Sequence, residues 1–256
     1  MRRLFPAPGP TVPAADRDDW LAEVYRYPRR SWLRASMVRG LDGAAALRGR
    51  SGGLSGPADA ELLAVLRSLA DVVLVGAGTA RAERYGPAEP HPRLAAARTA
   101  AGRPPAPPIA VVSARLRLDP GGDLFGAPPD ARTLVLTTRQ APASARRALE
   151  RVAEVLVVGE DEVEPRRVMA ELADRGLSRV LCEGGPQLLG RLCAAGLLDE
   201  LCLTVAPLLT GGDATRILRG PLLPGADRAL TLTSVLTADD YLFTRYLLSP
   251  LSEQGS

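Results

Sequence analysis

Two stretches of the chain set glycines beside groups that can hold an anion, each where an apolar run gives way to a helix-like segment. The first is Val72-Val-Leu-Val-Gly76-Ala-Gly78-Thr79-Ala-Arg81-Ala-Glu83. Bare glycines let backbone N–H groups approach a phosphate at a helix N-terminus, and the Thr79 hydroxyl adds a donor. Arg81 stands where the common dinucleotide fingerprint has its last glycine, and no acid follows about twenty residues on to take a ribose. The turn is therefore a variant one, and a purely structural glycine turn is the rival reading. The second stretch is Val180-Leu-Cys-Glu183-Gly184-Gly185-Pro186-Gln187-Leu188-Leu189. Pro186 suits the first turn of a helix whose apolar face is Leu188, Leu189 and Leu192. Gly184 and Gly185 leave the backbone bare at that helix mouth for a pyrophosphate. Glu183 would repel such a group, so it is expected to face a different ligand, unless it is a solvated or capping carboxylate.

Composition removes several other chemistries. The 256 residues contain no lysine and no asparagine, His91 is the single histidine, and all 32 basic side chains are arginine. Schiff-base catalysis and a phosphate-binding Walker lysine are excluded within the chain. One histidine cannot make an H-E-x-x-H zinc site, and no metal site is expected. A cofactor is expected to carry the chemistry of any enzyme built from these residues. Cys182, Cys193 and Cys202 lie in apolar surroundings without C-x-x-C spacing, which predicts reduced core residues of a cytoplasmic protein. Met1 to Pro10 lacks an apolar stretch of signal-peptide length, and no window is apolar enough to span a membrane. Net charge is +3 with scattered arginines and 4% aromatics, a pattern that suits an anionic small molecule better than nucleic acid.

The elements that must position these residues alternate. Trp32 to Val38, Val72 to Val75, Ile109 to Val112, Leu134 to Thr137, Val155 to Val158, Arg179 to Cys182 and Glu200 to Val205 read as strands. Leu62, Val65, Leu66 and Leu69 after Pro57, then Arg166 to Asp174 and Gln187 to Ala195, read as helices. This order predicts an α/β fold, a mostly parallel central sheet flanked by helices. Leu230 to Leu236 and Tyr241 to Leu248 predict an antiparallel C-terminal hairpin at the sheet edge. Residues 1–30 read as a partly ordered arm, 31–249 as one domain and 250–256 as a flexible tail. The Pro/Ala/Arg segment 86–108 reads as a functional or partly ordered loop, with His91 on its surface.

The chain resembles the reductase domain of the bacterial riboflavin-biosynthesis deaminase/reductase, a stand-alone form of a pyrimidine reductase with the dihydrofolate-reductase-like fold. The resemblance runs from about Trp32 to Leu248 and is carried by Gly40-Leu41-Asp42-Gly43, the connection Ser51 to Ser55, Leu66-Arg67, the turn Val75 to Glu83, Glu183 to Pro186, and Gly196-Leu-Leu-Asp199-Glu200-Leu201 leading to Ala206-Pro207. It implies that NADPH lies across both glycine turns, with Gly76, Gly78, Thr79, Arg81, Glu83, Ser113, Arg115, Gly184, Gly185, Pro186, Gln187 and Leu188 toward the cofactor. Ser51, Arg67 and Glu183 match positions that hold the substrate. Asp42 and Glu83 are the candidate catalytic acids, with water or the substrate itself as other proton sources. Departures from the family pattern are Arg39 and Gly40 in place of alanine and serine, Gly53 in place of an aromatic residue, and Glu83 in place of the commoner aspartate. The zinc signature of the deaminase half is missing, so deamination is expected to belong to another protein.

The implied activity is NADPH-dependent reduction of 5-amino-6-(5-phosphoribosylamino)uracil, or its undeaminated analogue, to the ribitylamino product of riboflavin biosynthesis. A reductase of the same fold acting on dihydrofolate or another pterin, and a non-catalytic nucleotide-binding paralogue, are the alternatives. A 2′-phosphate calls for a fork of donors, for which Arg81, Arg115 and Arg139 are candidates. The apolar hairpin and the strand at Leu197 to Val205 would leave edges open to a second chain, and a homodimer is expected.

Overall fold

The computed structural model describes residues 1–220, 223 and 229–248; the end of the expected domain and its tail, 249–256, lie outside the described residues. In chain order the strands are β1 (Arg2–Phe5), β2 (Trp32–Arg39), β3 (Val72–Gly76), β4 (Ile109–Val112), β5 (Leu134–Thr137), β6 (Glu154–Val157), β7 (Arg179–Cys182), β8 (Glu200–Val205), β9 (Leu230–Ala238) and β10 (Tyr241–Leu248). The helices are α1 (Ala14–Val24), α2 (Pro57–Leu69), α3 (Ala77–Ala82), α4 (Ala95–Ala100), α5 (Ala143–Glu150), α6 (Pro165–Asp174) and α7 (Pro186–Ala194). Among the described residues the strands form one sheet in the order β1-β9-β10-β8-β2-β7-β3-β4-β5-β6. From β8 to β6 every pairing is parallel, while β10 runs antiparallel to β8 and β9, and β1 to β9.

The short apolar strands are strands because helices cover both faces. In β3, Val73 and Val75 pack with Leu62, Val65 and Leu66 of α2, whereas Val72 and Leu74 pack with Val168 and Leu172 of α6 and Leu188, Leu189 and Leu192 of α7. Period-two alternation thus divides one apolar run between two cores. The three cysteines form no disulfide and are buried, as expected of core residues. No helix among the described residues is long and apolar enough to cross a membrane.

Four expectations need correction. The hairpin β9–β10 is antiparallel, and Asp239 and Asp240 make its two-residue turn at φ 51° and 65°, but it is not the sheet edge. β1 pairs with β9, and β8 is enclosed between β10 and β2, so the outermost strands are β1 and β6. The arm is structured, since it contributes β1 and α1. His91 is buried rather than on the surface: its Nδ1 accepts the Arg93 amide at 3.2 Å and its Nε2 lies 3.9 Å from Asp18. Segment 86–108 is held by Arg98 of α4, whose buried guanidinium donates to the carbonyls of Ser68 at 2.8 Å, Ala70 at 2.5 Å and Pro104 at 2.9 Å. A cation there satisfies carbonyls that α2 leaves free at its C-terminal end.

A buried charge cluster ties the parallel part of the sheet to the antiparallel part. Glu200 at the start of β8 accepts from Arg34 of β2 at 2.9 and 3.1 Å, from Arg245 of β10 at 2.6 Å and from the Trp32 indole at 2.7 Å. The Arg34 guanidinium also lies 4.1 Å from the Tyr27 ring centroid. Burial opposes charge on Glu200, but the adjacent Arg34 and Arg245 outweigh it and hold the carboxyl below the usual range. Because the folded value is depressed, the contribution of Glu200 is complete above the ordinary 4.5 and fades as the pH falls through the folded value. Glu200→Gln strands two guanidiniums and is expected to cost about 3–5 kcal/mol at pH 7 in chemical denaturation, with a smaller deficit in acid. A loss under about 1 kcal/mol would mean that the arginines find other partners.

Candidate active site

The two glycine turns meet. β3 and β7 are parallel neighbours, so both turns leave the sheet at the same end, side by side. The Gly76 amide donates to the Gly184 carbonyl at 2.8 Å, and the Glu183 amide to the Leu74 carbonyl at 2.9 Å. Gly184 has φ +89°, which favours glycine, and the Gly184–Gly185 peptide is cis. A Cβ on Gly185 would overlap Thr79 Oγ1, so any side chain there would push the Thr79 hydroxyl from its place. A Cβ on Gly78 would meet nothing within 4 Å.

Around this junction opens a cleft of about 1190 Å³, at the C-terminal ends of the parallel strands, where ligands bind in open α/β sheets. On the β3-to-β6 side it is lined by Arg81, Ser113, Arg115, Arg117, Thr138 and Val163, and α7 adds Pro186, Gln187, Leu188 and Arg191. On the other side it is lined by the connection after β2 (Ser51, Gly52, Ser55) and by Asp59, Arg67, Glu83, Tyr85 and Glu183. The exposed Arg139 pairs with Glu160 at 2.9 Å and does not line the cleft. No residue of 86–108 lines it either.

Three groups on the second side are locked together. Arg67, in the last turn of α2, donates Nε and Nη2 to Glu183 Oε1 and Oε2, both at 2.7 Å. The Tyr85 hydroxyl donates to Oε2 at 2.6 Å. The Arg67 guanidinium is held above its usual range because the charge of Glu183 outweighs the burial that opposes it. Nearby, Glu83 at the end of α3 accepts the Ser51 amide at 2.5 Å and the Ser51 hydroxyl at 2.9 Å, with Arg50 at 3.6 Å from its other oxygen. That carboxylate clasps the connection after β2 to the helix of the first glycine turn.

Asp42 lies elsewhere. It borders a smaller cavity of about 550 Å³ with Arg39 and Arg216, outside the main cleft. Its carboxylate accepts the amides of Thr210 and Gly211 at 2.7 Å each, that of Ala44 at 3.2 Å and the Thr210 hydroxyl at 3.1 Å. These donors, Gly211 and Thr210 first, hold its pKa at about 2, so Asp42 braces two loops and is a poor proton donor at neutral pH.

Of the other residues named from the sequence, Gly184 contributes its carbonyl to the junction, and Gly76, Gly78, Thr79, Gly185 and the remainder line the cleft. Nothing local marks Tyr85 or Arg219 as cleft residues, and Asp59 reads from its position only as an acid in the first turn of α2. Thr138 and Val163 were accessible through the rule that strand C-termini build such sites. Arg219 was not, because its amide meets the Pro186 carbonyl at 3.0 Å only through the tertiary fold.

The RibD C-terminal domain family matches residues 31–242. The 2,5-diamino-6-ribosylamino-4(3H)-pyrimidinone 5′-phosphate reductase of Archaeoglobus fulgidus is 32% identical over 154 residues, covering 60% of this chain and 69% of that protein. The riboflavin biosynthesis protein RibD of Mycobacterium tuberculosis is 29% identical over 207 residues, 80% of this chain and 50% of that one. Among solved structures, a pyrimidine reductase-like protein from Corynebacterium diphtheriae superposes with a TM-score of 0.77 at 28% identity, over 86% of this chain and 92% of that one.

If the turns act as one unit, Gly185→Ala and Thr79→Ala both take the Thr79 hydroxyl from its place. Each is expected to weaken dinucleotide binding about tenfold in calorimetry, and the double variant no more than the worse single one. Additive losses would show two independent turns.

Proposed function

The chain belongs to the RibD C-terminal domain family, and from that premise we propose that it is an NADPH-dependent reductase of a phosphorylated ribosylaminopyrimidine in riboflavin biosynthesis. The observation that carries the reading is the junction of the two turns. It leaves bare backbone and the N-terminus of α7 facing a cleft whose β3-to-β6 side is lined by Arg81, Arg115, Arg117 and Arg191. Those donors suit the phosphates of a dinucleotide, and guanidiniums suit a 2′-phosphate. When bound, a reduced nicotinamide supplies hydride.

The residues of the chain bind and orient. Gly76, Gly78, Thr79, Ser113 and Gly184 to Leu188 hold the cofactor in this proposal, and Arg81 and Arg115 its 2′-phosphate. Ser51, Arg67 and Glu183 hold the substrate. Glu83 with Ser51 forms the pair that keeps a proton on the substrate side, Ser51 Oγ donating to Glu83 Oε1 at 2.9 Å. Placing the reacting carbons near contact accounts for most of the rate in such a site. A homodimer in the cytoplasm, binding neither nucleic acid nor membrane, completes the proposal.

One observation favours a second substrate. The side of the cleft assigned to substrate is lined by the acids Asp59, Glu83 and Glu183, and its lining guanidinium, Arg67, is already bound to Glu183. That charge balance suits an uncharged amino-substituted ring such as a pterin better than a phosphate.

Anaerobic assay of NADPH oxidation with the phosphoribosylamino substrate and with dihydrofolate tests both readings. Turnover of the first, preferred at equal concentration, is expected; no turnover of either, with NADPH still bound tightly, would leave a non-catalytic nucleotide-binding protein. Gly78→Val projects a side chain into the cleft and is expected to weaken NADPH at least tenfold more than substrate; equal losses would signal misfolding. Arg81→Ala with Arg115→Ala is expected to cut the NADPH-over-NADH preference about tenfold or more in kcat/KM. An unchanged preference would remove both from the 2′-phosphate.

A further inference from the structure

The cavity beside Asp42 takes no part in the functional reading, yet Arg39, which lines it, is one of the residues that depart from the family pattern. Leu33, Ala35 and Met37 of β2 pack in the core under α7, and Arg39, two residues further along the strand, shares that face. Its Nη1 lies 3.9 Å from the point where a Cβ on Gly43 would stand, and Gly43 lines the cavity. Its Nε is buried and has no hydrogen-bond partner. Among the described residues the guanidiniums of Arg39 and Arg216 make neither a hydrogen bond nor an ion pair, unlike those of Arg34, Arg67, Arg98 and Arg179, which meet acids or carbonyls. A buried N–H without an acceptor is rare in folded chains and calls for a partner from outside.

The rest of the lining indicates what that partner is. Among the described residues around the cavity Asp42 is the one acid, and its carboxylate is already engaged by the amides of Ala44, Thr210 and Gly211 and by the Thr210 hydroxyl. Two cations, Arg39 and Arg216, therefore share the cavity with the apolar Leu203, Ile217, Ala44 and Ala214. A water would satisfy Nε but would neutralise neither guanidinium, whereas a phosphate brings both charge and several acceptors. At about 550 Å³ the space falls within the range of small-molecule sites, about 300–1,000 Å³, and exceeds what a bare phosphate fills. One segment walls it from the main cleft: Ala214, Arg216 and Ile217 line this cavity, while Thr215 and Arg219 line the cleft. The Thr215 carbonyl accepts the Ala45 amide at 2.8 Å and the Arg219 amide meets the Pro186 carbonyl at 3.0 Å, so the wall is fastened and the two openings are separate. We propose that this cavity is a second binding site, for a phosphomonoester with a small apolar or aromatic body, Arg39 and Arg216 taking the phosphate and Leu203 and Ile217 the body.

Calorimetry with phenyl phosphate on the whole chain, with and without saturating NADPH, tests this. With NADPH present one equivalent is expected to bind, because a dinucleotide in the cleft leaves this cavity open. Arg39→Ala and Arg216→Ala are each expected to weaken that binding about tenfold or more. Arg139→Ala removes the same charge from an exposed pair with Glu160 and is expected to leave it within about twofold. Benzoate, a singly charged carboxylate, is expected to bind more weakly than phenyl phosphate, and equal or tighter binding would remove the phosphate assignment. Binding that NADPH abolishes belongs to the cleft, and equal losses in all three variants mean attraction to a basic surface; either overturns the proposal. So does unchanged affinity in a folded Arg39→Ala, or no binding to the wild type up to about 10 mM. The thermal midpoint checks folding, and if Arg39→Ala does not fold, the exposed Arg216→Ala decides. If NADPH itself fails to bind, the functional reading fails separately, and the arginine variants still decide the site.

Discussion

The bond from the Gly76 amide to the Gly184 carbonyl joins two chain reversals about a hundred residues apart, and the site takes its form from that contact. It exists because β3 and β7 are adjacent parallel strands that end together. Gly185, which has no Cβ, leaves room there for the Thr79 hydroxyl. Glu183, one residue before the contact, is carried into the cleft beside Arg67 and Tyr85, while α7, one residue after Gly185, points its N-terminus at the same space. A helix N-terminus with bare backbone and a carboxylate, only a few residues apart in the sequence, thereby line one opening.

Electrostatics follow from a chain whose cations are all arginine. The delocalised guanidinium is weakly hydrated and tolerates burial where an ammonium would not. Arg34 joins the strands around Glu200, and Arg98 satisfies carbonyls at the end of α2. Arg179, at the start of β7, pairs with Asp71 before β3 at 2.6 Å. These charges are structural. The arginines left on the cleft walls fall mainly on the β3-to-β6 side, while the acids gather on the other. The lack of lysine and the burial of the one histidine therefore leave hydride transfer unhindered, since it requires neither as nucleophile or metal ligand.

Two carboxylates that look alike in sequence do different work. Asp42 is saturated by backbone amides and fastens the turn at 210–211 to the end of β2. Glu83 accepts from Ser51 and so joins the helix of the first glycine turn to the loop across the cleft. Both follow glycines or helix ends in the sequence; only their partners, 168 and 32 residues away, separate a loop brace from a cleft residue.

The parallel strands could be read within a residue or so because unbroken apolar runs bounded by prolines and glycines have few other ways to hide their backbone. Pro57 and Pro186 likewise mark helix starts through their fixed φ. The residues of both glycine turns, and Arg67 with Glu183, were visible as types suited to anions and to a polar ring. Sequence could not reveal that β1 would cover β9, since Arg2 to Phe5 has no strong alternation and gains its strand from the partner Thr237, Leu236 and Val235. Nor could it show that His91 would be buried under Asp18, or that Tyr85 would reach Glu183 across 98 positions. Local propensity and periodicity are written in neighbouring residues and so are legible along the chain; which remote groups share a cleft depends on strand order and on where two turns allow close approach, and is set by contacts between distant segments.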